Sequence, residues 1–213
     1  MKIKINEIYY SIQGESSFSG LPCVFVRFTY CNLRCSYCDT EHAFYEGKDM
    51  EISEILKKVK TYDCNLVEVT GGEPLFQKNC IILLEKLIEK KYEVLLETSG
   101  SLSIEDVPKK VVNIIDFKCP SSKMMKKNLW DNIKYLKKID EVKFVIGDSK
   151  DYKWSKGIIK KYNLNKRCSI LFSPLYGKIK PKVIVKWMLE DNIDARFQIQ
   201  LHKEIWDKDK RSV

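Results

Sequence analysis

The chain has 213 residues, of which 44% are hydrophobic and 31% charged, as in an ordinary soluble globular domain, so we expect a single domain over 1–213. No stretch is long enough for a membrane-spanning helix and the N-terminus lacks the apolar core of a signal peptide, which predicts a cytoplasmic protein with no membrane partner. The net charge of +9 comes from lysine pairs spread along predicted helices. We interpret these pairs as solvated helix faces and expect no nucleic-acid partner, with contact to a polyanion as the alternative.

Short β-rich runs alternate with helical patterns from residue 21 onward, which is typical of repeated βα units and a parallel sheet. The predicted strands lie at 23–28, 66–69, 93–97, 111–116, 141–146, 169–172 and 195–200. Apolar residues at helical spacing predict three helices, through Ile52, Ile55, Leu56 and Val59, through Cys80, Ile81, Leu84, Leu87 and Ile88, and through Leu129, Ile133 and Leu136. Ser103 with Asp106 predicts a capping box at the start of a further short helix.

Six or seven such units in 213 residues predict an α/β fold, an incomplete (β/α)6-type partial TIM barrel, since a full barrel takes about 250 residues. A flat Rossmann-like sheet is the alternative. Polar, often glycine-containing segments follow the strands: the cysteine loop, TGGEP at 70–74, TSG at 98–100, KCPSS at 118–122 and LHK at 201–203. Folds of this kind build active sites at the carboxyl ends of their strands, which favours the barrel.

The loop YCNLRCSYCDT, at 30–40, carries three closely spaced thiols on Cys31, Cys35 and Cys38. Thiols in a reducing cytosol stay free for metal binding or catalysis. A cluster held by four cysteines is closed, whereas a cluster held by three leaves one iron free to bind another molecule. The loop therefore favours a catalytic iron–sulfur cluster.

Two other interpretations of this loop remain. A structural zinc would need a fourth ligand such as Cys23, Cys64 or His42, although no second ligand pair stands at zinc spacing. Thiol catalysis would need an activating histidine, and the chain has only His42 and His202. The five remaining cysteines are interpreted as small buried hydrophobic residues: Cys23, Cys64, Cys80, Cys119 and Cys168.

The cysteine spacing, the aromatic Tyr37 directly before the last cysteine and the later stretch TGGEPL resemble the radical S-adenosylmethionine (SAM) enzymes. The resemblance runs from the first strand to the last. It implies a [4Fe–4S] cluster on the three cysteines, SAM on the free iron, a reductant such as flavodoxin or ferredoxin, and hydrogen abstraction by a 5′-deoxyadenosyl radical. The SAM-binding residues it implies are Tyr37, Asp39, Gly71, Gly72, Glu73, Ser99 and Lys118.

Residues 8–40 further resemble the 7-carboxy-7-deazaguanine synthase family, through Gln13, Gly14 and Glu15, through Arg27, and through Asp39 with Thr40. The segment FQIQLHKEIW, at 197–206, resembles the C-terminal part of that family. The resemblance implies conversion of 6-carboxy-5,6,7,8-tetrahydropterin to 7-carboxy-7-deazaguanine with release of ammonia, on the route to queuosine. It also implies Mg²⁺ on Thr40. The substrate-binding residues it implies are Ile12, Gln13, Gly14, Arg27, Thr70 and Val213.

Several alternatives stay open at this point. Arg27 offers a fork suited to a carboxylate, but it could instead pair with a neighbouring acid. The segment DFKCPSS departs from the pattern of some relatives, which leaves the contacts of 116–121 undecided. The competing functions are another radical SAM enzyme, such as a glycyl-radical activase, and a metal-stabilised RNA-binding module without turnover. A homodimer is among the expectations.

Overall fold

A nine-stranded sheet organises the protein, and the computed structural model describes residues 1–207 and 210–213. The strands are β1 (Lys2–Ile12), β2 (Pro22–Phe28), β3 (Lys48–Glu51), β4 (Leu66–Gly71), β5 (Glu93–Thr98), β6 (Val112–Asp116), β7 (Glu141–Ile146), β8 (Ser169–Pro174) and β9 (Arg196–Phe197). The α-helices are α1 (Ile52–Lys60), α2 (Cys80–Glu89), α3 (Ser149–Tyr162), α4 (Pro181–Glu190) and α5 (His202–Ile205). None of the helices in the described part of the chain has the length and hydrophobicity needed to cross a bilayer.

The strand order β3-β1-β2-β4-β5-β6-β7-β8-β9 combines a parallel series from β2 to β9 with two antiparallel strands, β1 and β3, at one side. A flat sheet would separate β1 from β9 by seven strand spacings, about 34 Å. Instead, the loop after β1 touches the segment after β9, because Leu201 N donates to Gly14 O at 2.9 Å and Ser16 N donates to Gln198 Oε1 at 2.7 Å. The sheet is therefore strongly curved, which confirms the partial barrel and rules out the flat alternative.

Two apolar clusters lie on the two faces of this curved sheet. The larger cluster packs the helices against the outer face and includes Val24, Val26 and Phe28 of β2 together with Ile55 of α1. The smaller cluster takes the alternate residues, such as Phe25 of β2, and fills part of the barrel interior. Because successive side chains of a strand point to opposite faces, the same strands can seal the core and present polar residues inside the barrel.

All seven predicted strands are present, and the helices predicted around Ile55 and Leu84 are confirmed as α1 and α2. The last strand, β9, is shorter than predicted, since the chain leaves the sheet after two residues to meet the loop that follows β1. Two strands, β1 and β3, lie outside the predicted set. The alternation in KIKINEIYY is the signal that could have identified β1.

Two helix predictions were wrong. The Ser103 hydroxyl accepts a hydrogen bond from Glu105 N at 3.1 Å, but the chain forms turns here and not the predicted short helix. The segment around Ile133 is a 3-10 helix, Trp130–Tyr135, and not an α-helix. Its Asn132 side chain explains this departure, because it donates to the carbonyl oxygens of Gly100 and Leu102 and so ties the segment to the loop after β5.

Candidate active site

One cleft of about 700 Å³ opens among the loops at the carboxyl ends of the parallel strands. It brings together sixteen of the seventeen residues that the sequence singled out as site residues. These are Ile12, Gln13, Gly14, Arg27, Cys31, Cys35, Tyr37, Cys38, Asp39, Thr40, Thr70, Gly71, Gly72, Ser99, Lys118 and Val213. Residues spread over the whole chain thus line a single cavity, as expected for a barrel-type site.

The cysteine loop follows β2 and is held by neighbouring loops. Ser36 N donates to Ser122 O at 3.1 Å, and the Ser36 hydroxyl donates to Ser121 O at 2.7 Å. On the other side, Asn32 Nδ2 donates to Ser101 Oγ at 3.0 Å. The loops after β5 and β6 therefore fix the position of the three thiols.

The donor set of this loop fits an iron–sulfur cluster. The thiols of Cys31, Cys35 and Cys38 are half-buried and line the cleft, whereas the other cysteines lie outside its lining. Burial raises the pKa of Cys35 to about 11 in the metal-free protein. No three acidic, histidine or cysteine side chains of the described residues converge as a single-ion site, but a four-iron cluster places each thiolate on a different iron.

The Gly-Gly turn at the end of β4 packs directly against the cysteine loop. Gly72 N donates to Phe28 O at 3.1 Å, and Glu73 N donates to Tyr30 O at 2.8 Å. Gly71 has a φ of +145°, and a Cβ atom on Gly72 would lie 2.2 Å from Tyr30 O and 2.9 Å from the Cys31 Cβ. Only glycine permits this approach, which brings the backbone of β4 next to the cluster ligands.

Glu73 departs from the expected contact with SAM. Its side chain is fully buried, does not line the cleft and accepts four hydrogen bonds on its inner side. The donors are Thr98 Oγ1 at 2.8 Å, Ser99 N at 2.8 Å, Ser99 Oγ at 2.6 Å and Leu75 N at 3.1 Å. Because both oxygens of the Glu73 carboxylate already accept hydrogen bonds, its role in the structure is to position Ser99. The part of the Gly-Gly-Glu motif that faces the cleft is the backbone of Gly71 and Gly72.

The other residues expected at SAM have defined partners. Lys118 Nζ lies 2.9 Å from Asp116 Oδ2; burial opposes its charge, but Asp116 and Cys35 together outweigh burial and raise the pKa of Lys118. Asp39 Oδ2 lies 2.6 Å from Lys203 Nζ; burial again opposes the charge, yet Lys203 holds the pKa of Asp39 well below its usual range. The Tyr37 hydroxyl is buried without a hydrogen-bond partner among the described residues, so it is open to a ligand.

Arg27, on β2, also lines the cleft. Its Nε donates to Glu7 Oε1 at 2.7 Å and its Nη2 donates to the Tyr9 hydroxyl at 2.9 Å. The pairing with a neighbouring acid is therefore present, and the guanidinium keeps further N–H groups while it lines the cleft. Thr70, next to Arg27 in the register of β2 and β4, donates to Glu97 Oε2 at 3.0 Å.

Gln13 is more fully engaged than expected. Its amide nitrogen donates to Glu68 Oε2, and its amide oxygen accepts from Glu15 N at 2.8 Å. Residues 212–213 lie close to Arg27, because Ser212 Oγ donates to Glu7 Oε2, the partner of Arg27, at 2.7 Å and Val213 lines the cavity. Gln13 thus shapes the loop after β1, while Val213 lies where the sequence expectation placed it.

Sequence reasoning missed a group of charged residues at the floor of the cleft. Lys143, buried on β7, forms an ion pair with the half-buried Glu97 on β5, and Glu68 on β4 lies beside Glu97. Lys143 and Glu68 each stand in the middle of a mostly buried strand, in EVKFVI and LVEVTG. A charged residue in the middle of a buried strand is the signal that could have identified them.

Comparison with known proteins shows what the chain is similar to. A protein-family model described as "Radical SAM superfamily" matches residues 25–116 of this chain. A protein named 7-carboxy-7-deazaguanine synthase from Chlorobaculum tepidum is 44% identical over 99% of this chain and 97% of its own length. A relative of the same name from Clostridium acetobutylicum is 40% identical over 100% of both chains. The chain is thereby placed among enzymes and not among non-catalytic metal-binding modules.

Solved structures show the same fold. The crystal structure of QueE from Escherichia coli aligns with a TM-score of 0.79 at 19% identity and covers 95% of both chains. SuiB from Streptococcus suis, bound to S-adenosylmethionine, aligns with a TM-score of 0.57 at 18% identity over 80% of this chain and 48% of its own.

These matches confirm the predicted α/β partial barrel of the radical SAM type. They also confirm the expected cofactors, a [4Fe–4S] cluster and SAM, which a radical SAM enzyme uses together with a reductant. With relatives at 40% identity or more over nearly its whole length, the chain belongs to the 7-carboxy-7-deazaguanine synthase family of radical SAM enzymes.

Proposed function

We propose that this protein converts 6-carboxy-5,6,7,8-tetrahydropterin to 7-carboxy-7-deazaguanine with release of ammonia. The observation that carries the proposal is one cleft lined both by the three cluster thiols with the Gly-Gly turn and by Arg27 with Val213. We call the part lined by the thiols and the Gly-Gly turn the SAM end, and the part lined by Arg27 and Val213 the substrate end. The protein acts as a single domain over 1–213, in the cytoplasm, with a reductant such as flavodoxin or ferredoxin. A homodimer stays a prediction.

The SAM end of the cleft holds its ligand by backbone and side-chain groups. When bound there, the cluster and SAM would supply a 5′-deoxyadenosyl radical, the chemistry needed for hydrogen abstraction at C6 of the pterin. Cys31, Cys35 and Cys38 hold the cluster, and the Gly-Gly backbone comes close enough to hold the amino group of SAM. The remaining contacts are assigned to Tyr37, Asp39, Ser99 and Lys118, the last two fixed by Glu73 and Asp116.

The substrate end suits a planar ring that carries a carboxylate. Arg27 offers charged N–H groups to the carboxylate, because among the described residues Glu7 and Tyr9 take two of its five donors. The Thr70 hydroxyl, the backbone of Ile12, Gln13 and Gly14, and the C-terminus at Val213 supply polar groups around the ring. The protein's role in this part of the site is to orient the ring and to exclude water.

The direct test is an anaerobic assay of the reconstituted protein with a chemical reductant, SAM and 6-carboxytetrahydropterin. We expect 7-carboxy-7-deazaguanine to form with one ammonia released per product. Because substrate and product differ by ammonia alone, the abstracted hydrogen is returned, and 5′-deoxyadenosine should not accumulate in step with the product. The control omits the pterin and measures SAM cleavage alone. SAM cleavage without any deazaguanine product would refute the substrate assignment and leave the radical SAM assignment intact.

Replacing Thr40 by alanine should weaken the Mg²⁺ dependence of turnover. The Thr40 side chain lines the cleft and donates to Asp39 Oδ1 at 3.1 Å, next to the last cluster ligand. Mg²⁺ prefers oxygen ligands and shares its shell with substrate anions. We expect half-maximal turnover to need about tenfold more Mg²⁺. This is the lower end of the loss in metal affinity that is usual when a residue that supports a metal site is removed.

The matched control for this change is Thr61→Ala. The Thr61 hydroxyl bonds only to Lys58 O, at 2.7 Å, just after α1 and outside the cleft lining. It should leave the Mg²⁺ titration unchanged, and both variants should keep the iron content of the wild type. A Thr40→Ala protein with an unaltered titration would remove Thr40 from the metal site.

A further inference from the structure

Lys143 is a buried ammonium group at the floor of the cleft, with only 5% of its side chain exposed. Its Nζ lies 2.7 Å from Glu15 Oε2, forms an ion pair with Glu97 Oε1 and stands 3.8 Å from Asp116 Oδ2. These carboxylates come from three different elements, the loop after β1, β5 and β6. Burying charges is costly unless they are closely matched, so a network of this kind marks a candidate functional position.

Each of these carboxylates also accepts a hydrogen bond from a second residue that lines the cleft. Glu97 accepts from the Thr70 hydroxyl at 3.0 Å, at the substrate end. Asp116 accepts from Lys118 Nζ at 2.9 Å, at the SAM end. Glu15 accepts from Gln200 Nε2 at 2.9 Å, in the segment after β9. Lys143 is therefore the common centre of contacts that reach both ends of the proposed site.

The charge balance of this floor favours hydrogen-bond acceptors. Lys143 and Lys118 face the three carboxylates of Glu15, Glu97 and Asp116, which leaves one negative charge in excess. Burial and the neighbouring Glu97 raise the pKa of Glu68 well above its usual range, so Glu68 is not counted among the ionised groups. Ionised carboxylates only accept hydrogen bonds, whereas a protonated one also donates. An ionised floor therefore suits a heterocycle rich in N–H groups.

We propose that Lys143 is a positioning residue that holds the floor carboxylates ionised and in place, so that the cleft presents an acceptor surface to an N–H-rich ring. The inference rests on the proposed function, because it concerns how the same substrate is oriented. With the carboxylate of the substrate at Arg27, the N–H groups of its ring lie toward the floor. Lys143 acts through Glu15, Glu97 and Asp116 and takes no part in bond breaking.

The electrostatics agree with this geometry. Burial opposes the charge of Lys143, but Glu15, Glu97 and Asp116 outweigh it and raise the pKa of Lys143 well above its usual range. Burial likewise opposes ionisation of Glu97, but Lys143 outweighs burial and lowers the pKa of Glu97. The titratable and charged groups that face Lys143 from the packed elements are Glu15, Glu68, Glu97, Asp116, Lys118 and Glu141.

The test compares Lys143→Met, which keeps the length and removes the charge, with Lys143→Arg, which keeps the charge. The probe is 6-carboxypterin, a fluorescent aromatic analogue without the transferable hydrogen, titrated into the reconstituted protein from pH 5.5 to 8.5. The values of kcat and KM for the tetrahydropterin are measured over the same pH range.

Without Lys143, burial raises the pKa of Glu97 and the floor becomes protonated as the pH falls. We expect Lys143→Met to bind the probe about tenfold more weakly at pH 6.5 and the acid limb of kcat/KM to move up by about one pH unit. Lys143→Arg should keep the wild-type acid limb.

Lys137→Met is the matched control, since Lys137 pairs with the fully buried Asp140 at 2.8 Å outside the cleft lining. It should lower the unfolding temperature and leave probe binding unchanged. Should Lys143→Met fail to fold, Glu97→Gln replaces it, with weaker binding and a flattened acid limb as the expected result. A wild-type pH profile of kcat/KM in Lys143→Met or in Glu97→Gln overturns the inference. So does an effect of these substitutions that is limited to the unfolding temperature. Wild-type protein that cleaves SAM but makes no deazaguanine refutes the proposed function instead.

Discussion

Cys35→Ala protein is expected to lose both the cluster and all detectable turnover. Cys35 is one of three thiols that line the cleft in the described part of the chain, and the neighbouring loops fix it next to Cys31 and Cys38. Two thiolates cannot hold a cluster that already has one iron without a protein ligand. Anaerobically purified wild-type protein should be brown, with about four irons and four sulfides per chain, and the variant should be colourless. The measurements are iron and sulfide content, the visible absorbance spectrum and 5′-deoxyadenosine formation.

The control for this prediction is Cys64→Ala. Cys64 is also half-buried, but its thiol contacts Pro22 O at 3.3 Å and lies outside the lining of the cleft. Removing it should leave iron content and turnover at the wild-type level. Full SAM cleavage by Cys35→Ala, or loss of iron in Cys64→Ala, would mean that the cluster ligands are assigned wrongly.

The sequence was sufficient for the parts of the site that depend on neighbours along the chain. Cys31, Cys35 and Cys38 lie within eight consecutive residues, and Gly71 with Gly72 forms one turn, so spacing alone carries their chemistry. The buried parallel strands were equally accessible, because a strand covered on both faces is an almost continuous apolar run. Local pattern and tertiary structure agree at these positions.

The floor of the cleft could not be read in the same way. Lys143 meets Glu15 across 128 residues of sequence and Glu97 across 46. No pattern of sequence spacing links residues this far apart. The carboxylates that pair with the lysine of EVKFVI can be identified only once the order of the strands in the sheet is known. The inner side of Glu73 was hidden for the same reason, because its partners Thr98 and Ser99 belong to the next strand and its loop.

The N-terminal part shows a different limit. The alternating pattern of KIKINEIYY is compatible with an exposed segment as well as with a strand that has one covered face. It becomes β1 because β2 and β3 pair with it on both sides. Its residue Glu7 then holds Arg27 at 2.7 Å and Ser212 at 2.7 Å, so the strand absent from the prediction positions two elements of the proposed substrate end.

Gly72→Ala protein is expected to lose most of its cluster and to be less stable, although the change adds only a methyl group. The new Cβ would lie 2.2 Å from Tyr30 O and 2.9 Å from the Cys31 Cβ, so the cysteine loop must move away from β4. Overpacking of this kind costs about 1–3 kcal/mol in the free energy of unfolding. The substitution therefore shifts both the backbone that carries the cluster ligand Cys31 and the backbone of Gly71 and Gly72, which is proposed to hold the amino group of SAM. Iron content, SAM binding and chemical denaturation measure the three effects separately.

Gly157→Ala provides the opposite expectation with the same chemical change. Gly157 is exposed in the middle of α3, and a Cβ there meets no atom within 4 Å. Alanine should raise the free energy of unfolding by about 0.5–1 kcal/mol and leave cluster content and turnover unchanged. If Gly72→Ala bound iron and SAM as well as Gly157→Ala does, the close packing of β4 on the cysteine loop would not be what holds the site together. The cluster would then depend on the contacts of Ser36 and Asn32 alone, and variants of those two residues would carry the loss instead.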